Sequence, residues 1–398
     1  RHLAPPTGEA DPHAPALKLA VFSREGEHVV EGVLYDRSGR WWWIAGGIPR
    51  LLPAGLYRNR TMEQQHHGAL ERLGLDPAGA GARAGPGSRL DHQTMDRFGD
   101  EWRVFRDWGY HDQAPEGREA EFQGGLWANT LSAFASKTFL CGRVGGKLCL
   151  DAGCGNGRFT AAALAGGAGE VIAVDIGWGV EAAFEHHRDD PRVHVVQASL
   201  FDLPIRRVDV AFSIGVLMHT GDAQRAFMRV ASVVGPGGLL AVRMYHRGNI
   251  AYELTDRALR MATTRLSRRR QMRLAERMAG FGRWLCERDA AAPGTRVRWY
   301  SVVRNWPTVH HNLDWWGAPV ATHHTVPEVL RWARAAGLGV VKTDPAHGRE
   351  RYGFWEWPEA LTALFERAPV WAAGASTIDA KPIADPTGAA AHACGHMR

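Results

Sequence analysis

The chain has 398 residues, 45% of them hydrophobic and 23% charged, which suits a globular α/β core carrying smaller attachments. No apolar run reaches the roughly 18 to 20 residues of a membrane span, and the five cysteines (Cys141, Cys149, Cys154, Cys286, Cys394) are too scattered for a disulfide framework or a zinc knuckle. These features point to free thiols in a reducing, cytoplasmic setting. Of the formal charge of +6, the segment Leu254 to Arg288 carries +7 through ten arginines against three acids, which leaves −1 for the remainder. Any polyanion preference is confined to that segment.

Residues 1–16 (RHLAPPTGEADPHAPA) read as a disordered leader without the apolar core of a signal peptide. From 17 to 56, β-prone pieces (LKLAVFS, HVVEGVLY, RWWWIA) separated by turns suggest a small β-rich module. This stretch holds no cysteine and only His28, so no structural zinc is expected there. Residues 57–91, with DPAGAGARAGPGSR at 76–89, read as a linker. A helical pattern follows from Asp91 to about Phe139, and strand-like and helix-like runs alternate from there to about Tyr245. That alternation implies a mostly parallel sheet with helices on both faces. An arginine-rich helical insertion fills 250–312. Its Leu274, Met278, Phe281 and Leu285 recur at helical spacing, which predicts a buried stripe with the arginines in water, as a lid or homodimer element. The core closes over 313–360 with PEVLRWARAAG as a helix and LGVVK and RYGFWEW as strands, and residues 361–398 read as a C-terminal tail.

The most informative stretch is LCLDAGCGNGRFT (148–160), an apolar run ending at an acid, then glycines at every second position, then an amphipathic run. Glycines between a strand and a helix let backbone approach a ligand at the helix N-terminus. The dinucleotide pattern G-x-G-x-x-G requires a small residue where Arg158 stands, and no G-x-x-x-x-G-K-[ST] loop is present. What remains is D-x-G-x-G-x-G, followed one βα unit later by EVIAVDIG, whose Asp175 could accept both hydroxyls of a ribose.

On these residues, and on VHVVQASLFDLPI, DVAFSIGVLMHTGD, VVGPGGLLAVRMYHRGN and DWWGAPVATHHTVPEVLRWARAAGL, the sequence resembles the class I S-adenosylmethionine-dependent methyltransferases over residues 92–345. The resemblance implies an α/β fold with a Rossmann-like, seven-stranded, mostly parallel sheet, and S-adenosyl-L-methionine as cofactor. It places Asp151, Gly153, Gly155 and Gly157 around the methionine part and Asp175 on the ribose. Ser199 and Leu200 would flank the adenine, with Ser199 standing where many relatives have Asp, and Ile214 and Gly215 would line the far wall. DRFGDEWRVFRDW (96–108) resembles the F-G-x-E-W lid helix of one subgroup, with Phe98 and Trp102 as walls excluding water. AGGIPRLLP (45–53) resembles the end of a zinc-ribbon module, here without its cysteines.

Methyl transfer from a sulfonium requires alignment and exclusion of water, plus a base only where the acceptor carries a proton. His219, Tyr245 and His246 lie near the carboxyl ends of core strands and are the catalytic candidates, His219 first, with His323, His324 or Asp314 as additions. Adjacent histidines such as His310-His311 and His323-His324 point apart and lack an H-E-x-x-H context, so no catalytic metal is expected. The expected function is in-line transfer to a small-molecule acceptor, by O- or N-methylation, without nucleic acid or membrane partners. The alternatives are an RNA methyltransferase using the arginine-rich insertion and a non-catalytic, partner-binding domain.

Overall fold

The computed structural model describes residues 2–6, 16–76, 89–113, 125–248, 250–291, 308–345 and 360–369. It opens on an antiparallel meander, β1 (Lys18–Glu25), β2 (His28–Tyr35), β3 (Trp41–Ala45) and β4 (Ile48–Leu51). Gly46 and Gly47 make the last turn with φ of +60° and +80°, the two positive values that a mirror-image two-residue hairpin turn demands. Successive strand side chains point to opposite faces, and the three tryptophans of β3 are divided that way. Trp42 joins the main core, while Trp41 and Trp43, edge to face at 4.9 Å, pack with Val33, Met62 and Leu70. That second layer comes from α1 (Arg60–Gln65) and α2 (His67–Arg72), two short helices inside the segment read as a linker. Its glycine-rich part, 77–88, lies outside the described residues.

The core strands are β5 (Leu148–Ala152), β6 (Glu170–Asp175), β7 (Val193–Ala198), β8 (Val208–Ile214), β9 (Val234–Met244), β10 (Leu338–Asp344) and β11 (Leu361–Arg367). One eleven-stranded sheet runs in the order β1-β2-β3-β4-β7-β6-β5-β8-β9-β11-β10. The five central strands are parallel, and β11 is antiparallel to both of its neighbours. The N-terminal meander is thus no separate module. β4 pairs in parallel with β7, and buried Arg50 fixes the join by donating to Gln197 Oε1 (2.9 Å) and Glu181 Oε1 (2.7 Å).

From β5 the chain builds outward through β6 and β7, then returns to β8 on the other side of β5. A ligand crevice forms at such a reversal, outside the carboxyl ends of the strands. The helices beside it are α3 (Arg89–Val104), α4 (Trp127–Thr138), α5 (Arg158–Ala165), α6 (Gly179–His187) and α7 (Ala223–Ser232), followed by α8 (Ile250–Thr263), α9 (Arg268–Ala291), α10 (Val309–Gly317) and α11 (Val326–Ala335). Asp222 caps α7 through Arg225 N–H, and Thr325 with Glu328 forms a capping box on α11.

Three further expectations require correction. Leu361–Arg367 is no tail: as β11 it is inserted between β9 and β10, with Leu361, Ala363, Leu364 and Phe365 all buried. A strand flanked on both sides and covered on both faces shows a continuous apolar run, which masks the alternation that would have marked it. The other strand expected there, RYGFWEW, lies outside the described residues. On α9 the buried stripe is Gln271, Ala275 and Ala279, with Leu274 and Met278 half-buried and Phe281 exposed, while the side chain of Leu285 lies outside those described. Phe105, Trp108, Val309 and Leu313 supply the bulk on the facing elements, so small residues fit on α9. Finally, residues 2–6 of the expected leader are placed: Leu3 bridges Ile205 and Ala4 N–H donates to Pro204 O (2.9 Å).

Candidate active site

The loop after β5 forms the floor of the site. Gly153, Gly155 and Gly157 all have left-handed backbone, with φ of +92°, +54° and +84°. The N–H groups of Gly153 and Cys154 donate to Val174 O at 2.7 and 3.0 Å, which ties the loop to β6. A β-carbon on Gly155 would lie 2.6 Å from the Trp102 indole. The loop and α3 therefore touch where only glycine leaves room.

Helix α3 borders the cavity along one face. Phe98, Glu101 and Trp102 share one helical face and all line the cavity. Phe98 sits 5.2 Å from the His219 ring, and Gly99 makes room for Trp178, which a β-carbon there would approach to 2.6 Å. Asn156, buried within the loop, donates to Arg106 O and Trp108 O (3.0 and 2.9 Å), fastening the loop to the segment that follows α3.

The cavity measures about 260 Å³ and opens at the carboxyl ends of β5, β6, β8 and β9. Of the predicted cofactor residues, Trp102, Gly153, Gly155, Asp175, Ser199, Leu200, Ile214 and Gly215 line it. Asp151 and Gly157 are not among its lining residues. Asp151 is buried, its Oδ2 accepts from Thr160 Oγ1 (2.8 Å), and burial pushes its carboxyl up to about 7. Gly157 caps α5, and a β-carbon there would meet Ala183 and His187 at 3.1 Å. Both residues shape the loop from behind.

Asp175 ends β6 with Oδ2 accepting from Gly155 N–H (3.0 Å) and Oδ1 from Gly177 N–H (2.7 Å). Burial raises its carboxyl above the ordinary value, and the backbone donors oppose that shift. Each oxygen keeps a further lone pair for a ligand hydroxyl. Ser199 Oγ accepts from Phe201 N–H (3.2 Å) and so retains its own hydrogen to donate.

Of the catalytic candidates, His219 and Tyr245 line the cavity and His246 does not. Tyr245 and His246 are adjacent where β9 runs out, so an extended chain turns them to opposite sides. Tyr245 stacks on Trp315 (4.2 Å), and its hydroxyl is 3.5 Å from Asp314 Oδ2. His246 is buried away from the cavity, its Nδ1 2.7 Å from Arg247 O. Asp314 lines the cavity, whereas His323 and His324 are spent on Glu253 and Glu328 (2.8 and 3.1 Å). The Nδ1 of His219 lies 2.7 Å from Val320 O. A carbonyl only accepts, so Nδ1 carries the hydrogen and Nε2 holds the lone pair. That Nε2 is buried and has no hydrogen-bond partner among the described residues. Burial holds the imidazole below its ordinary pKa of 6.5, hence neutral at physiological pH.

Glu101, Arg158 and His310 have no site role in the sequence analysis, and all three line the cavity. Arg158 stacks over Phe159 (4.8 Å) and Trp102 (5.8 Å). Glu101 Oε1 meets His310 Nδ1 at 3.0 Å and so joins α3 to α10. Burial pushes Glu101 up to about 7 and His310 down to about 3, toward neutral forms of both. The signal for Glu101 was its place in F-G-x-E-W; its partner, 209 residues away, left none. Glu101→Ala, which strands the His310 nitrogen, should cost about 1 to 3 kcal/mol in urea unfolding, while Glu101→Gln keeps a hydrogen-bonding partner and should cost less. A folded-state pKa raised from 4.5 to about 7 stabilises at acid pH and loses that contribution as pH rises through this window. Glu101→Gln should flatten the stability profile there, and an unaltered profile would remove Glu101 as its source.

Residues 150–242 match the family described as methyltransferase domain. An uncharacterized protein of Synechococcus sp. (strain PCC 6301) is 34% identical over 122 residues, and the match spans 29% of this chain and 29% of that relative's length. Among solved structures, magnesium protoporphyrin IX methyltransferase of Synechocystis PCC 6803 with bound S-adenosylhomocysteine is 17% identical, covering 69% of this chain and 98% of its own at a TM-score of 0.39. A putative sarcosine dimethylglycine methyltransferase of Galdieria sulphuraria is 12% identical over 69% of this chain and 98% of its own, at 0.41. The residues around the cavity fit S-adenosylmethionine: two glycines at which a β-carbon would fill the cradle, and a half-buried acid with lone pairs left for a diol. Residues 150–242 therefore carry a methyltransferase domain, with S-adenosylmethionine as its cofactor.

Proposed function

We propose that the protein transfers a methyl group from S-adenosylmethionine to an oxygen or nitrogen of a small-molecule acceptor held beside His219, Tyr245 and Asp314. The observation that carries this reading is that Gly153, Gly155, Asp175 and His219 all line one cavity. The cofactor supplies an activated methyl on its sulfonium. Gly153, Gly155 and Asp175 hold it, and Ser199 and Leu200 flank its adenine. Phe98 and Trp102 close the site from the lid side and exclude water. His219, neutral and with Nε2 free to accept, takes the proton of a hydroxyl or ammonium acceptor, while Tyr245 and Asp314 orient it.

Asp175→Ala should weaken S-adenosylmethionine binding by about 1 to 3 kcal/mol, because the ribose hydroxyls lose their acceptor. Undiminished affinity by calorimetry would remove Asp175 from the site. The proposal itself is tested by screening the purified protein and S-adenosylmethionine against metabolite pools and total RNA, following release of S-adenosylhomocysteine. Transfer to small molecules supports it. Transfer to RNA alone, falling steeply with salt, would shift the function to the arginine-rich insertion.

A further inference from the structure

The amino ends of β6 and β7 lie at the edge of the sheet away from the cavity, since the carboxyl ends of the parallel strands form the site. Glu170 opens β6 and His194 is the second residue of β7. His194 Nε2 lies 2.8 Å from Glu170 Oε2, and His2 Nε2 lies 3.0 Å from the same oxygen. The three donor atoms all fall within 4.8 Å of one another. The side chains of His2, Glu170 and His194 are 21%, 27% and 37% exposed, so an ion can enter and a water can complete its shell.

The backbone holds His2 in this position. Leu3 bridges Ile205, Arg206 N–H donates to His2 O (3.2 Å), Arg206 Nε donates to Leu3 O (3.2 Å) and Ala4 N–H donates to Pro204 O. Segment 2–4 is therefore oriented before any ion arrives.

We propose that His2, Glu170 and His194 bind one divalent transition-metal ion, Zn²⁺ by preference, which ties segment 2–6 to the sheet. Two imidazole nitrogens and one carboxylate oxygen suit a borderline ion, whereas magnesium and calcium prefer oxygen donors throughout. Three protein ligands leave a fourth, tetrahedral position for water. On binding, each imidazole presents the Nε2 lone pair and keeps its hydrogen on Nδ1. The site departs from the expectation of no metal because its ligands come from three separate parts of the chain, with none of the close spacings that mark zinc motifs.

The test titrates the 398-residue chain with Co²⁺, whose visible d–d absorption reports its ligand geometry. The expected result is one equivalent bound with a nitrogen and oxygen spectrum, free of a thiolate charge-transfer band, displaced by Zn²⁺ and unaffected by Mg²⁺. His194→Ala and Glu170→Gln should each weaken it by at least about 100-fold, since even groups that only support a ligand alter affinity by about 10 to 100-fold. In the wild-type protein alone, the metal should also slow hydrogen exchange at the amides of Ala4 and Arg206. Equal binding and equal spectra in wild type and His194→Ala would overturn the proposal. So would unchanged exchange at those two amides on metal loading.

Discussion

Gly153→Ala is expected to destabilise the fold by about 2 to 6 kcal/mol and to abolish cofactor binding at ordinary concentrations. Two independent costs combine. The backbone at Gly153 has φ +92°, a region that costs a residue with a β-carbon about 1 to 3 kcal/mol. A β-carbon there would also lie 2.3 and 2.4 Å from the two methyl carbons of Val216. Val216 follows β8 and lines the cavity, so it cannot give way without moving the far wall; overpacking of this kind costs about 1 to 3 kcal/mol. The double variant Gly153→Ala with Val216→Ala removes the clash and leaves the backbone strain. It should recover about half of the lost stability in urea unfolding. Full recovery would place the entire effect in the side-chain contact, and an unperturbed single variant would show that the loop does not need glycine here.

His219→Asn is expected to lower kcat by about 10²- to 10⁴-fold while leaving affinity for S-adenosylmethionine unchanged. The asparagine amide can keep a donor near Val320 O, where Nδ1 now sits at 2.7 Å, but has no atom at the position of Nε2. The substitution thus separates the base from the strut. pH dependence gives a second readout. Burial lowers the pKa of His219 below 6.5, so the imidazole stays unprotonated through neutrality, and the acid limb of kcat/KM in the wild type should fall below that value. An acid limb above 6.5, or a variant as fast as the wild type on its acceptor, would remove His219 from the chemistry. In that case the alignment of the acceptor alone would have to account for the rate.

The parts of the site that could be read from the sequence are those whose chemistry is written in local spacing. The glycines of 153–157 follow one strand directly, Asp175 ends the next, and Ile214 with Gly215 ends a third, so a one-dimensional pattern suffices to bring them to one edge. Face was harder to read than position. Tyr245 and His246 were equally near the strand end, and only the extended backbone separates a lining residue from a buried one. Asp151 was drawn behind the loop by Thr160, nine residues on, a contact that the motif does not encode. β11 escaped because burial on both faces leaves an apolar run and no alternation. On α9 the expected stripe lay one position away from the buried one, since the bulk belonged to Phe105, Trp108, Val309 and Leu313 on the facing elements. The pairings Glu101 with His310, and His2 and His194 with Glu170, exist only once the sheet and lid are assembled.

The central claim is that cofactor and acceptor share the cavity between the glycine loop and His219. A co-crystal structure with S-adenosylhomocysteine tests it most directly. The expected density places the ribose hydroxyls on the Asp175 carboxylate, the adenine against Leu200 and the sulfur facing the space beside His219. Adenosine bound anywhere else, or a sulfur turned away from His219 and Tyr245, would contradict it.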